Sequence, residues 1–378
     1  MSDISDQNGQ PDATPSVTST QAGFGGAGND HGLAAPSAER FAFSARGSEY
    51  FRIWIVNLLL SIITLGIYSA WAKVRRLRYF YDNTTVAGSS FEYHGNPIAI
   101  LKGRIAAVVL LFVYHTAFNI GPLLGLLALA AMGLAVPWLI WRSLQFKLYN
   151  SSYRGIRFGL RGSAGAAYKT YLLWPALSVL SLYLLAPFAH QRIKRFQHNE
   201  SRFGATHFSF HASPGGFYKA YLLGMGIWLA GFVAILLLFG GTIAALASAG
   251  QTGTDDGGGL AFFLMVLSVY VWSFLALPLF FTLLQNLIWN NTRLGEHRFA
   301  SDMRWRSMMF IMATNVVGIV CTLGLYTPFA QVRLMRCRIE AMSLHPAGGL
   351  DEFIASAESA GSAAGEGMTD LLDFDLSL

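Results

Sequence analysis

At 378 residues, 53% hydrophobic and 13% charged, the chain is far from a soluble domain, in which roughly a quarter of residues are charged. Its net charge of +6 hides a partition. All 27 Lys and Arg lie between Arg40 and Arg338, and twelve of the 21 acids lie before Arg40 or after Pro346, so in the body nine acids face 27 bases, a formal +18. A basic patch of that size could serve nucleic acid. Cations flanking apolar segments are instead the signature of a polytopic membrane protein, so no nucleic-acid partner is expected.

In chain order, residues 1–39 are polar and Gly-rich, lack the basic-then-apolar pattern of a signal peptide, and are predicted to be a disordered tail. Phe41-Ala42-Phe43 alternates as a short strand. The first apolar segment, Ile53 to Ala72, is interrupted by Thr64-Leu65-Gly66-Ile67-Tyr68. Phe91-Glu92-Tyr93 reads as a second strand. Ile98 to Ala117 and Pro122 to Trp141 are each long enough to span about 30 Å of hydrocarbon and form a tight helical hairpin. Further strands are predicted at Phe158-Gly159-Leu160 and Phe208-Ser209-Phe210, around a fourth apolar segment, Tyr171 to Ala189. Segments five (Tyr221 to Ala247) and six (Leu260 to Trp289) follow, then segment seven, Met308 to Ala330, with Thr322-Leu323-Gly324-Leu325-Tyr326 inside it. Residues 346–378 are predicted to be a disordered acidic tail. Cys321 and Cys337 carry no disulfide framework and read as free thiols.

One motif recurs. Trp71-Ala72 with Arg75 and Arg78, Phe188-Ala189 with Arg192 and Arg195, and Phe329-Ala330 with Arg333 and Arg336 each close an apolar segment. Phe41, Trp71 and Phe91 meet like residues 117 positions later, and Phe41, Asn57 and Trp71 meet like residues 258 positions later. These offsets predict two tandem membrane units, 40–157 and 158–298, and a truncated third, 299–345. The expected fold is therefore an all-α polytopic membrane protein of parallel repeats with short cytoplasmic β-hairpins. For every basic stretch to face one side, the segments at 53–72, 171–189 and 308–330 must dip in and return. Gly66, Gly324 and the pair Pro175 and Pro187 supply breaks. The alternative is seven full crossings.

The run Tyr50-Phe51-Arg52, Asn57, Thr64-Leu65-Gly66-Ile67-Tyr68-Ser69-Ala70-Trp71-Ala72-Lys73-Val74-Arg75, Arg78-Tyr79 and Asn83-Thr84 resembles the YjgN-like bacterial inner-membrane proteins. The second unit departs from the pattern, with Trp174 at the Asn57 position. The resemblance implies an inner-membrane location, and the placement of the basic stretches separately predicts that both termini are cytoplasmic. The resemblance implies no catalytic or binding residue.

No nucleophile motif, phosphate-binding loop or Cys-x-x-Cys occurs, so neither an enzyme nor a cofactor is expected. His190, His198, His207 and His211 lack a partnering cysteine or carboxylate cluster and read as interfacial residues, not metal ligands. Asn57 and Asn315, inside apolar sequence, are candidates for a solute path or for helix-to-helix contact, together with Gly66, Gly324, Tyr68 and Tyr326. Arg75, Arg78, Arg192, Arg195, Arg333 and Arg336 are candidates for binding anionic lipid headgroups of the bilayer. Two functions are compatible with these features. One is passive, channel-like passage of a small solute. The other is a non-transporting protein that binds anionic lipid or docks a partner through its basic cytoplasmic face.

Overall fold

The computed structural model describes residues 38–252, 258–349, 351–355 and 357. Asp255 and Asp256, in the loop between segments five and six, lie outside them, as do most residues of both tails.

Strands and helical hairpins alternate along the chain. β1 (Glu39–Arg40) and β2 (Ala42–Phe43) lead into α1 (Gly47–Ile63) and α2 (Ser69–Asp82). β3 (Thr84–Val86) and β4 (Ser89–Tyr93) lead into α3 (Pro97–Ile120) and α4 (Pro122–Tyr149). β5 (Ser151–Tyr153) and β6 (Ile156–Leu160) lead into α5 (Ala164–Tyr168), a π-helical turn (Lys169–Leu173), α6 (Trp174–Leu180) and α7 (Ala186–Asn199). β7 (Ser201–Phe203) and β8 (Thr206–Phe210) lead into α8 (Pro214–Thr252) and α9 (Gly258–Trp289). β9 (Thr292–Leu294) and β10 (His297–Ser301) lead into α10 (Trp305–Cys321) and α11 (Thr327–Glu340), and β11 (Met342–His345) follows.

These strands overturn the all-α expectation. All eleven belong to one antiparallel sheet in the order β1-β11-β10-β9-β8-β7-β6-β5-β4-β3-β2. β1 and β2, at its two edges, are joined through Phe41 alone, whose N–H donates to the Met342 carbonyl at 3.0 Å. Residues 39–43 thus bridge both edges, and the sheet is nearly a closed barrel, which removes edges that would otherwise recruit other chains. Two full units and a truncated third do not describe this arrangement. The chain makes five strand–helical hairpin–strand passages around one sheet, and residues 157/158 and 298/299 fall inside β6 and β10.

Every passage joins neighbouring antiparallel strands, so all five helical hairpins rise from the same rim. The tight turns at 87–88, 154–155, 204–205 and 295–296 form the other rim. Each hairpin packs on the next, and α11 packs on α1, closing a ring of helices over the barrel. Among the described residues, four helices are long and apolar enough to cross a membrane: Pro97–Ile120, Pro122–Tyr149, Pro214–Gly241 and Phe262–Trp289.

The segments around α1–α2, α6–α7 and α10–α11 turn back instead of running straight. Thr64 Oγ1 donates to the Leu60 carbonyl and accepts from the Tyr68 N–H at 2.9 Å, ending one helix and starting the next. Thr322 does the same with Gly318 and Tyr326. Gly66 (φ 91°) and Gly324 (φ 94°) occupy the left-handed region that these turns require. The middle hairpin turns without glycine, with Leu182 and Tyr183 at φ 51° and 65°. There Pro187 opens α7, whereas Pro175 comes just after the π-helical turn Lys169–Leu173, inside a run that stays helical through Leu180. The tip leucines Leu65, Leu182 and Leu323 are 95, 86 and 95% exposed, which suits hydrocarbon and not water.

Candidate functional site

Barrel strands alternate their side chains inward and outward. On the inner face, Phe41, Phe91, Phe158, Phe208 and Phe299 form a complete circuit. Neighbouring ring centroids are 6.3, 6.3, 6.4, 6.1 and 6.4 Å apart around the loop. The intervening strands supply a second tier: Val86, Tyr153, Phe203, Leu294 and Leu344, all buried. The tiers meet as directly opposed pairs, Phe91 with Tyr153, Phe158 with Phe203, Phe208 with Leu294 and Phe299 with Leu344.

These side chains surround a chamber of about 410 Å³. Its floor, on the helix side, is made by Lys147, Gln197, His198 and Trp289. The opposite mouth is covered by residues 351–355 and Ala357. Phe353 and Ile354 line the chamber, and the Phe353 ring lies 4.3 Å from that of His297. Arg154 Nη1 holds Asp351 Oδ1 at 2.6 Å. Part of the predicted disordered tail is therefore an ordered lid, because Ile354 and Ala357 find apolar surface to bury.

The floor is cationic and short of counter-charge. Lys194 Nζ donates to Gln197 Oε1 at 3.2 Å, and Gln197 Nε2 donates to the Tyr171 hydroxyl. Buried Gln285 donates to the Arg338 carbonyl and accepts from Arg338 Nε at 3.0 Å. Burial, with Arg338 and Lys147 nearby, pushes the Lys194 ammonium below its ordinary range. Burial, with Arg104, Arg76 and Lys147 nearby, does the same to Lys73. His198, wedged between Phe210 and Trp289, is pushed down to about 4 by burial and by Lys194. His190 is likewise pushed to about 4 and is bonded to Tyr221.

Among the residues singled out in the sequence, Asn315, Tyr326 and Arg333 come together. Arg333 Nη1 donates to Asn315 Oδ1 at 3.0 Å and to the Tyr326 hydroxyl at 3.1 Å, and Asn315 Nδ2 donates to the Ala330 carbonyl. Asn57, Tyr68 and Arg75 form no such cluster. Asn57 Oδ1 is buried without a partner among the described residues, Tyr68 stacks on Trp71, and Arg75 is exposed. Arg192 lies 4.8 Å from the Phe188 ring centroid and 5.7 Å from that of Trp174. Arg78 Nε donates to the Tyr93 carbonyl, Arg336 Nη2 to the Ala45 carbonyl, and Arg195 is exposed. Gly66 and Gly324 are turn residues with open space around them. His207 and His211 sit at and just beyond β8, away from any group of three metal-ligand side chains among the described residues.

The family described as "Bacterial protein of unknown function (DUF898)" matches residues 38–371. The chain belongs to this family. The matched span includes every described strand of the barrel and the lid residues 351–355 and Ala357 of this DUF898 chain. It is 31% identical over 144 residues to the inner membrane protein YjgN of Salmonella typhimurium, a match covering 38% of this chain and 36% of that protein. It is 30% identical over 148 residues to YjgN of Escherichia coli O157:H7 and of strain K12, with the same coverage. The chain thus spans about a third of the length of the curated relatives it matches. No solved structure matches it.

The second tier and the floor cations Lys147, Lys194 and Arg338 are not among the residues singled out in the sequence. The 117 and 258 spacings linking Phe41, Phe158 and Phe299 were the available signal for the aromatic circuit.

Proposed function

We propose that this is a multi-pass inner-membrane protein, non-enzymatic and non-transporting, that holds anionic lipid headgroups in a cationic layer where helices meet sheet. The observation that carries this reading is the common rim. Because all five helical hairpins rise from one side of the sheet, the cations of α2, α7 and α11 come to similar depth. Cations at that level favour the cytoplasmic face, which would put the sheet and both ends of the described chain in the cytoplasm. Each cation near an anionic surface contributes roughly 1 kcal/mol.

Passive passage has weaker support. Asn57 and Asn315 lie in separate hairpins, and both polar ends of Asn315 are engaged within its own. The space of about 240 Å³ beside Asn315 is lined mainly by Phe274, Met312, Val316, Ile319 and Leu334.

The test uses Arg75 and Arg195, which are exposed and outside the Asn315 cluster. Phosphatidylglycerol added to detergent-solubilised protein should raise its melting temperature more than phosphatidylcholine does. The Arg75→Gln/Arg195→Gln variant should lose most of that difference. An undiminished difference removes the proposal.

A further inference from the structure

The barrel chamber is a largely apolar space, partly covered at its mouth, with lysines at its helix end that lack a carboxylate partner among the described residues. Its walls are the five phenylalanines and the second tier of Val86, Tyr153, Phe203, Leu294 and Leu344. At about 410 Å³ it falls at the low end of the 300–1,000 Å³ range of small-molecule sites, which suits one acyl chain better than two. Burying each methylene there is worth about 0.8 kcal/mol.

The polar end is equally specific. Lys147 lines the floor, and Lys194 is tied to the floor residue Gln197. Among the described residues, no carboxylate lies within ion-pair distance of either ammonium. Two converging helices, α4 and α7, thus bring cations to one end of an aromatic cavity with no internal anion to neutralise them. A partly buried cation is stabilised by an anion that reaches it.

We propose that the barrel chamber binds a single-chain amphiphile with an anionic head, its tail within the circuit of Phe41, Phe91, Phe158, Phe208 and Phe299 and its head at Lys147 and Lys194. This site borders the headgroup layer, since Lys194 is a cation of α7, but it differs from it in its tail pocket inside the sheet and in using neither Arg75 nor Arg195.

The probe is palmitic acid carrying a diazirine at its chain end, added to full-length protein in phosphatidylcholine nanodiscs and photolysed. Phosphatidylcholine has no net charge, so the result does not depend on the headgroup layer. Peptide mapping should find label on β4, β6 and β8. Excess oleate should compete, oleyl alcohol should compete about tenfold less well because it lacks the charge-assisted contact, and inorganic phosphate should not compete. Lys147→Gln/Lys194→Gln should lower labelling about tenfold, and Lys147→Arg should preserve it. Leu344→Phe, which narrows the chamber away from the cations, should lower labelling without changing the size-exclusion profile. Label confined to α3, α4, α8 and α9 would overturn the proposal. So would competition by phosphate equal to that by oleate, or wild-type labelling of the double lysine variant. The wild-type competition series needs no variant, so a misfolded mutant leaves the proposal open to refutation.

Discussion

The ring of Phe41 stands 6.4 Å from that of Phe299, although the two lie near opposite ends of the described chain. This contact is where the aromatic circuit closes. It exists because residues 39–43 pair with β11 on one side and β3 on the other. Five helical hairpins are anchored by that closure, since each starts and ends on a strand of the same sheet.

Closure can be trapped covalently. Arg40 and Ser343 are Cα partners across the seam. Opposed residues in antiparallel strands have Cα atoms about 4.5–5.5 Å apart, within disulfide range. Arg40→Cys with Ser343→Cys, in a Cys321→Ser/Cys337→Ser background, should give a faster band on a non-reducing gel after mild oxidation, reversed by reductant. Absence of that band would mean that the sheet is open.

The aromatic circuit should dominate barrel stability. Phe158 packs against Phe91, Phe203 and Phe208. Phe158→Ala should destabilise by about 3 kcal/mol or more, as large-to-small changes in packed cores do. Val109, half exposed on α3, is the control, and Val109→Ala should alter the melting temperature in detergent far less. Equal effects would mean that the circuit is not a core.

The two buried asparagines of α1 and α10 should behave differently. Asn315→Leu strands Arg333 and the Ala330 carbonyl and should destabilise by about 1–3 kcal/mol. Asn57→Leu removes a buried oxygen that has no partner among the described residues, and should be near neutral or stabilising. Thermal unfolding of the two variants side by side decides the matter.

Acid should weaken the helix bases. His190 and His198 titrate near 4 in the folded chain, against 6.5 for the free side chain. Between those values the unfolded state binds more protons, so stability is full above pH 6.5 and falls as pH drops towards 4. His198→Phe should flatten part of that slope. A melting temperature independent of pH from 7 to 4.5 in both proteins would contradict the burial of these rings.

Some of this was legible from residues alone. The apolar runs mark the four long helices, and the Thr-Leu-Gly motifs at 64–66 and 322–324 mark two of the reversals through hydroxyl capping and a left-handed glycine. Phe41, Phe91, Phe158 and Phe208 mark four strands. Their partners were hidden. Thr84–Val86, Ser151–Tyr153, Ser201–Phe203 and Thr292–Leu294 are three residues long and mostly polar, too short for alternation to register.

The sequence by itself determined what lies in hydrocarbon and where the chain reverses, because hydropathy, capping and backbone preference act over a few neighbouring residues. Only the tertiary structure decided that the strands form one nearly closed sheet, that all the hairpins rise from one rim, and that Lys147 and Lys194 meet at the floor of an aromatic chamber. Those facts depend on pairings such as Glu39 with Leu344, between residues far apart in the chain. The contribution of such a pairing appears only once the loop between its partners has closed.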